Sequence, residues 1–199
     1  TGFSFGSTKD KGDTTYFSIT DTDGNSISVI QSNYMGFGSG IVPKGTGIVL
    51  QNRGSYFSLD PKHHNSLKPG KRTFHTLCAS FIEDESGYAA SLGSMGGDIQ
   101  PQLHIQLMLG LMNNRKDPQS VIDGPRWAFP YTIYEKPNLL IVESDDLLNN
   151  IRGIFPPRKV KNIGTSSQLG HAQITARLPN GVTVGGSDPR GDGVSIPVN

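Results

Sequence analysis

A single cysteine, Cys78, excludes an intrachain disulfide framework and any metal site built from cysteines alone. A lone cysteine is most often a small buried hydrophobe, and Cys78 is expected to be one. No apolar run reaches the roughly 20 residues that span a bilayer. The opening residues, TGFSFGSTKDKGD, lack the basic region and apolar stretch of a secretory signal. The sequence leaves the compartment open and leans slightly to the cytoplasm; any signal peptide would lie on a segment upstream. Neither sign of charge is in excess: 18 Lys and Arg face 17 Asp and Glu, for a formal net charge of +1. Such a chain has no long-range field to gather nucleic acid or an acidic membrane, and neither is an expected partner. Hydrophobic residues make up only 34%, against 25 glycines and 13 prolines. That points away from long helices and toward a turn-rich, sheet-rich domain that is incomplete without a partner chain. At 199 residues, one domain with a sizeable core is within reach.

What is present reads as strands first. Between Thr14 and Thr20, Tyr16, Phe17 and Ile19 alternate with hydroxyl residues, which suits a strand. Asp23-Gly24-Asn25 then signals a hairpin into a second strand, Ser26 to Ser32. A glycine-dense loop, residues 34–47, leads to GIVLQN, expected as a third strand, and the polar, proline-containing segment 54–72 reads as a surface loop. RTFHTLCASFI and GYAASLGS are expected as strands around the turn DESG. Pro101 suits the first turn of a helix whose Leu103, Leu107, Met108 and Leu111 repeat at helical spacing, with Gly96 and Gly97 just ahead of it. DPQSVID predicts a short helix stopped by Gly124-Pro125, and HAQITARLPNGVTVGG a strand pair around Pro179-Asn180-Gly181.

Three motifs invite function and carry none. The glycines of 36–47 match neither dinucleotide spacing nor the P-loop, because Gly45 is followed by Thr46-Gly47 where Lys-Ser/Thr is required. His63 and His64 are adjacent in a Pro/Lys/Asn loop and lack ligand spacing, so no metal is expected; His104 is expected on a helix surface. Arg190-Gly191-Asp192 spells an adhesion tripeptide, but three residues recur by chance, and it is expected as a C-terminal turn.

The junction Gly12-Asp13-Thr14-Thr15 raises a different chemistry. A threonine hydroxyl is a weak nucleophile unless a base stands beside it, and its own α-amino group can be that base once the preceding peptide bond is cut. An α-amine has a reference pKa near 7.7–8.0, so a useful fraction is unprotonated near neutrality. Local sequence alone favours the plainer reading, that Thr14 and Thr15 are ordinary strand residues. Thr1 is a rival nucleophile, but the glycine-rich run after it makes a weaker strand than the one Thr14 opens.

TTYFSITDTDGN, FGSGIVPKGTGIVLQN, GKRTFHT, GSMGGD and GGSDPRGDG occur in this order and at a spacing that resembles the small subunit of γ-glutamyltranspeptidases, over essentially all of residues 12–192. The resemblance implies an α+β, N-terminal-nucleophile hydrolase fold, an αββα sandwich completed by a large subunit cut from the same precursor. Residues 1–13 would be the tail of the large-subunit region before the processing site, and 14–199 the small, catalytic subunit. Carried over, Asp13-Thr14 is the processing site and Thr14 the nucleophile. Ser32 takes the place of a hydroxyl residue that hydrogen-bonds the nucleophile. Gly96 and Gly97 fall on the glycine pair whose N–H groups form the oxyanion hole, a placement that glycines ahead of a helix support independently. The resemblance implies no cofactor, a small-molecule amide as substrate and a dimer of heterodimers as the assembly.

Departures from the family pattern fall in the substrate pocket, where Tyr34, Arg53, Tyr56, His75 and Thr76 are the candidate binding residues. Tyr56 stands where the γ-glutamyl enzymes commonly have an acid that holds the substrate ammonium. Tyr34 replaces an asparagine, and His75 and Thr76 replace paired serines that help hold the α-carboxylate. This pattern is more similar to the acylase-like branch, which includes cephalosporin acylases. The function the resemblance implies is that of an acyltransferase or hydrolase cleaving γ-glutamyl or related acyl amides through an acyl-threonine ester; its rivals are a cephalosporin-acylase-like amidase acting on non-glutamyl acyl groups and, from another class, a catalytically silent binding or structural module.

Overall fold

The computed structural model describes residues 12–113, 117–130, 139–154 and 159–198. The stretch before Gly12, Thr1 included, lies outside them, as does the side chain of Asp13. The described residues divide into two compact units, one holding 12–14 with 31–75 and the other 15–30 with 76–198.

Two paired strands, β1 (Gly12–Thr20) and β2 (Ser26–Met35), run through both units. Their turn is fixed by Asp21, whose carboxylate accepts the Asn25 N–H at 2.8 Å and whose carbonyl accepts the Gly24 N–H at 3.1 Å. Alternation along β1 leaves Phe17 and Ile19 exposed on one face and buries Tyr16 on the other.

In the larger unit, β3 (Ala79–Glu83), β4 (Ala89–Met95), β8 (His171–Arg177) and β9 (Thr183–Ser187) form an antiparallel sheet in the order β3-β4-β8-β9. One face of β4 and β8 presents Ala90, Leu92, Ala172, Ile174 and Ala176, which pack against Leu107, Leu111 and Ile122. These last come from helices α1 (Gln100–Asn113) and α2 (Pro118–Asp123). The opposite face meets the β1–β2 pair through a Ser18–Thr175 hydroxyl contact of 2.8 Å and through Tyr16, which leaves no room for a side chain at Gly93: a Cβ there would lie 2.2 Å from the Tyr16 ring. Burying an aliphatic side chain of this kind stabilises the fold by about 1.5–3 kcal/mol. The helix-facing side of the sheet therefore carries one of the three apolar clusters among the unit's described residues.

A second sheet was not expected from the sequence. It comprises β5 (Trp127–Ala128), β6 (Leu139–Val142) and β7 (Lys159–Asn162), with α3 (Asp145–Ile154) between the parallel pair β6 and β7. β6 is buried on both faces, Ile141 among Ile99, Leu103 and Leu169, and Leu140 and Val142 among Leu148 and Ile151.

The C-terminal turn is anchored by four buried charges. Arg190 bonds Glu143 at 2.5 and 2.7 Å and Asp188 at 3.2 Å, and Arg126 bonds Asp188 at 2.6 Å. Two cations against two anions leave no net buried charge, and carbonyls of Ile122, Gly124, Leu169 and Gly170 take the remaining guanidinium protons apart from that on Arg126 Nε, which is buried without a partner among the described residues. Burial opposes ionisation of Asp188, but Arg126 and the Ala172 and Arg190 N–H groups outweigh it and hold its pKa below the usual range. The Arg190-Gly191-Asp192 turn is there as expected, with Arg190 only 9% exposed.

The smaller unit has little regular structure. Beyond the ends of β1 and β2 it holds a 3-10 turn, Arg53–Tyr56, and a bridge between Ser58 and Ser66. GIVLQN is not a strand. Ile48 and Leu50 are largely exposed there, and the segment is tied back by bonds from Ser39 N–H to Leu50 O (2.8 Å) and from Leu50 N–H to Ile41 O (2.9 Å). Gly47, at φ +64°, imposes a turn at its start where a ladder would need extended backbone. The expected strand RTFHTLCASFI also shortens to Ala79–Glu83, because residues before 79 have no partner strand.

Candidate active site

Thr14 lies in β1 two residues after Gly12, half-buried, and its Oγ1 donates a 2.8 Å hydrogen bond to Ser32 Oγ on β2. Ser32 Oγ also accepts the Tyr34 N–H at 2.8 Å. Thr14 and the Tyr34 N–H thus both donate to the one Ser32 oxygen.

Tyr34 has φ of +75°, the one non-glycine residue with positive φ among those described. The left-handed region is costly for a large side chain. The neighbouring backbone is clasped by Asn52: its N–H donates to Asn33 O at 3.1 Å, its Oδ1 accepts the Met35 N–H at 3.1 Å, and its Nδ2 reaches Gly38 O at 3.0 Å. Arg53, 1% exposed, lies over the Tyr34 ring with Cζ 4.8 Å from its centre. Tyr56, 4% exposed, packs on Tyr34 at 4.9 Å and edge-on to Phe74 at 5.4 Å. The structure therefore joins Tyr34, Arg53 and Tyr56 into one aromatic and cationic wall, with Phe74 added. His75 is exposed, and burial, then the charges of Arg53 and Arg72, hold its imidazole below the usual pKa.

Asn52 and Phe74 were missed by the sequence reading. An asparagine in a polar loop reads as a turn former, and nothing local shows that it reaches back across 17 residues to Met35.

The larger unit contributes the remaining candidates. Gly96 and Gly97 link β4 to a 3-10 turn, Gly97–Ile99, that runs into α1. Gly97 has φ of +54° with open space beside its Cα, so backbone conformation and not crowding selects glycine there. At Gly96 a Cβ would come within 3.0 Å of Leu103 and 3.2 Å of Ile99. Behind this turn, the Gln100 side chain accepts the Cys78 N–H at 3.2 Å, and fully buried Thr76 accepts the Cys78 thiol on its carbonyl. Cys78 is half-buried, and burial pushes its thiol pKa up, away from nucleophilic use.

His104 corrects an expectation. It is 4% exposed, not on the helix surface, because position 104 shares the sheet-facing side of α1 with Leu103, Leu107 and Leu111. Its Nδ1 meets Ser80 Oγ at 3.0 Å, and burial pushes its pKa down to about 4. His63 and His64 are exposed with rings 6.5 Å apart, and among the described residues no group of three His, Cys, Asp or Glu is placed to hold a metal. No described helix is long and apolar enough to cross a membrane.

The chain matches known proteins in both sequence and structure. Residues 2–198 match the family model described as gamma-glutamyltranspeptidase. The chain is 37% identical to a glutathione hydrolase-like YwrD proenzyme of Bacillus subtilis, over 92% of this chain and 35% of that protein. It is 38% identical to an oxamate amidohydrolase proenzyme of Klebsiella pneumoniae, over 96% and 37%. Among solved structures it matches cephalosporin acylase from Bacillus halodurans at a TM-score of 0.74 and 41% identity, over 88% of this chain and 32% of that one. The α+β, N-terminal-nucleophile hydrolase fold is shared with these structures. The chain spans about a third of the length of the curated relatives it matches.

Proposed function

Since the chain belongs to the γ-glutamyltranspeptidase family, we propose that it is the nucleophile-bearing part of an amidohydrolase that works through an acyl-threonine ester. The observation that carries this reading is the 2.8 Å bond from Thr14 Oγ1 to Ser32 Oγ at the mouth of β1. Cleavage between Asp13 and Thr14 frees an α-amine that takes the Thr14 hydroxyl proton as Oγ1 attacks an amide carbonyl. The Gly96 and Gly97 N–H groups are the donors for the oxyanion, a term of about 3–4 kcal/mol per donor in comparable sites. The leaving amine takes a proton as the tetrahedral species collapses, and water or an amine then receives the acyl group. The chain requires a large subunit from the same precursor, in keeping with relatives that are proenzymes of about three times its length.

The acyl group is one without a free ammonium. Tyr34, Tyr56 and Phe74 give an aromatic wall with Arg53 against it, and no acid lies among these wall residues to meet a cation. Oxamate, named for one relative, has no ammonium, whereas a γ-glutamyl group does. The second reading, a γ-glutamyl hydrolase, is favoured by the glutathione hydrolase-like relative. The test is intact-mass analysis of the purified full-length protein: two fragments, the smaller beginning at Thr14, are expected from the parent and one uncut chain from Thr14→Ala. Equal cleavage of Thr14→Ala would end the proposal.

A further inference from the structure

We propose that Tyr34 is a positioning residue for the nucleophile, acting through its backbone: its left-handed conformation aims its N–H at Ser32 Oγ and so fixes the hydroxyl that Thr14 leans on. This rests on Thr14 being the nucleophile.

The geometry is specific. A serine hydroxyl has two acceptor lone pairs and one proton. A backbone N–H can only donate, so the Tyr34 N–H permanently occupies one lone pair of Ser32 Oγ, at 2.8 Å. Thr14 Oγ1 donates to the other, also at 2.8 Å. With both lone pairs engaged, Ser32 cannot exchange roles freely with Thr14. Ser32 held in this way fixes the position of Thr14 Oγ1, from which the α-amine freed by cleavage takes the proton as Oγ1 attacks. Without the Tyr34 N–H, Ser32 is free to rotate, and the Thr14 hydroxyl loses its fixed direction.

The conformation that delivers this N–H is strained, and strained backbone persists only where its surroundings over-determine it. Tyr34, at φ +75°, is held from both sides. Asn52 bonds the residue before it through Asn33 O and the residue after it through Met35 N and O, and Arg53 covers its ring. The clasp has no packing purpose evident in β2, which ends one residue later at Met35. Tyr34 thus has two separable parts, a ring packed against Arg53 and Tyr56 and an N–H that orients Ser32.

Substitutions in the full-length protein separate them. Tyr34→Gly removes the ring but adopts positive φ without strain. Tyr34→Val puts a β-branched residue where φ is positive and should move the N–H off Ser32. The readouts are kcat and KM on a glutaryl anilide, and the rate of self-cleavage before Thr14, which needs no substrate. Tyr34→Val is expected to lower kcat about tenfold, the scale of one lost neutral hydrogen bond. Tyr34→Gly should show its loss in KM and exceed Tyr34→Val severalfold in kcat and in cleavage rate. If Tyr34→Val does not fold, Asn52→Ala carries the same test by loosening the clasp, and should lower kcat more than it raises KM. Equal kcat for the Gly and Val variants, or unchanged kcat in Asn52→Ala, would overturn the proposal. Cleavage and turnover persisting in Thr14→Ala would instead overturn the reading on which it rests.

Discussion

Thr14 Oγ1 and Ser32 Oγ lie 2.8 Å apart across the β1–β2 pair, with Thr14 donating. Removing the acceptor should leave Thr14 in place but undirected. Ser32→Ala is expected to lower kcat about 10- to 100-fold with little change in KM, and Ser32→Thr, which keeps the hydroxyl, to recover most of it. Steady-state kinetics of the processed variants decide this; a Ser32→Ala enzyme with parental kcat would remove Ser32 from the mechanism.

Gly97 has open space beside it, so Gly97→Val should cost stability only through its φ of +54°. That strain is about 1–2 kcal/mol, a modest drop in Tm. If the Gly97 N–H serves the oxyanion, kcat should fall by roughly 100-fold or more. A folded, processed Gly97→Val protein with a Tm loss but normal kcat would refute the assignment.

The aromatic cluster of Tyr34, Tyr56 and Phe74 predicts substrate preference. A substrate ammonium beside Tyr56 in place of a carboxylate forgoes a charge-assisted hydrogen bond of about 1.5–3 kcal/mol, roughly 10- to 100-fold in affinity. The glutaryl anilide should therefore exceed the γ-glutamyl anilide in kcat/KM, and Tyr56→Asp should narrow the gap. A strong γ-glutamyl preference in the parent enzyme would favour the transpeptidase reading.

His104 sets a pH dependence of stability. Its pKa in the folded protein is pushed down to about 4 by burial, against an unfolded value of 6.5. Between these values the unfolded chain binds the proton and the folded chain does not, so the contribution is complete above pH 6.5 and is lost as pH falls toward 4. The loss amounts to roughly 2–4 kcal/mol. Denaturant unfolding from pH 7 to 4 should show this decline, and His104→Gln should flatten it. An equally steep decline in His104→Gln would assign the effect elsewhere.

Much of this site was legible because its signals are local. The alternation in Thr14–Thr20, the Asp-Gly-Asn turn, the helical leucine spacing of α1 and the glycines before it each follow from a few consecutive residues. What escaped depends on partners far along the chain. The Glu143–Arg190 and Arg126–Asp188 pairs join residues 47 and 62 positions apart, so no window of sequence contains them. β5, β6 and β7 are two to four residues long, too short for any period to show. His104 looked like a surface residue because its type is polar, although its position in the leucine pattern puts it on the buried side.

Whether Thr14 carries the acyl group is decided by trapping that ester. The processed full-length enzyme is mixed with glutaryl anilide, quenched in acid within the first turnover, and the fragment beginning at Thr14 is weighed intact and then as peptides. The account predicts an added glutaryl mass on the N-terminal peptide, located on Thr14 and lost on hydroxylamine treatment. An adduct on any other residue, or full turnover by an enzyme whose Thr14 is never acylated, would contradict it.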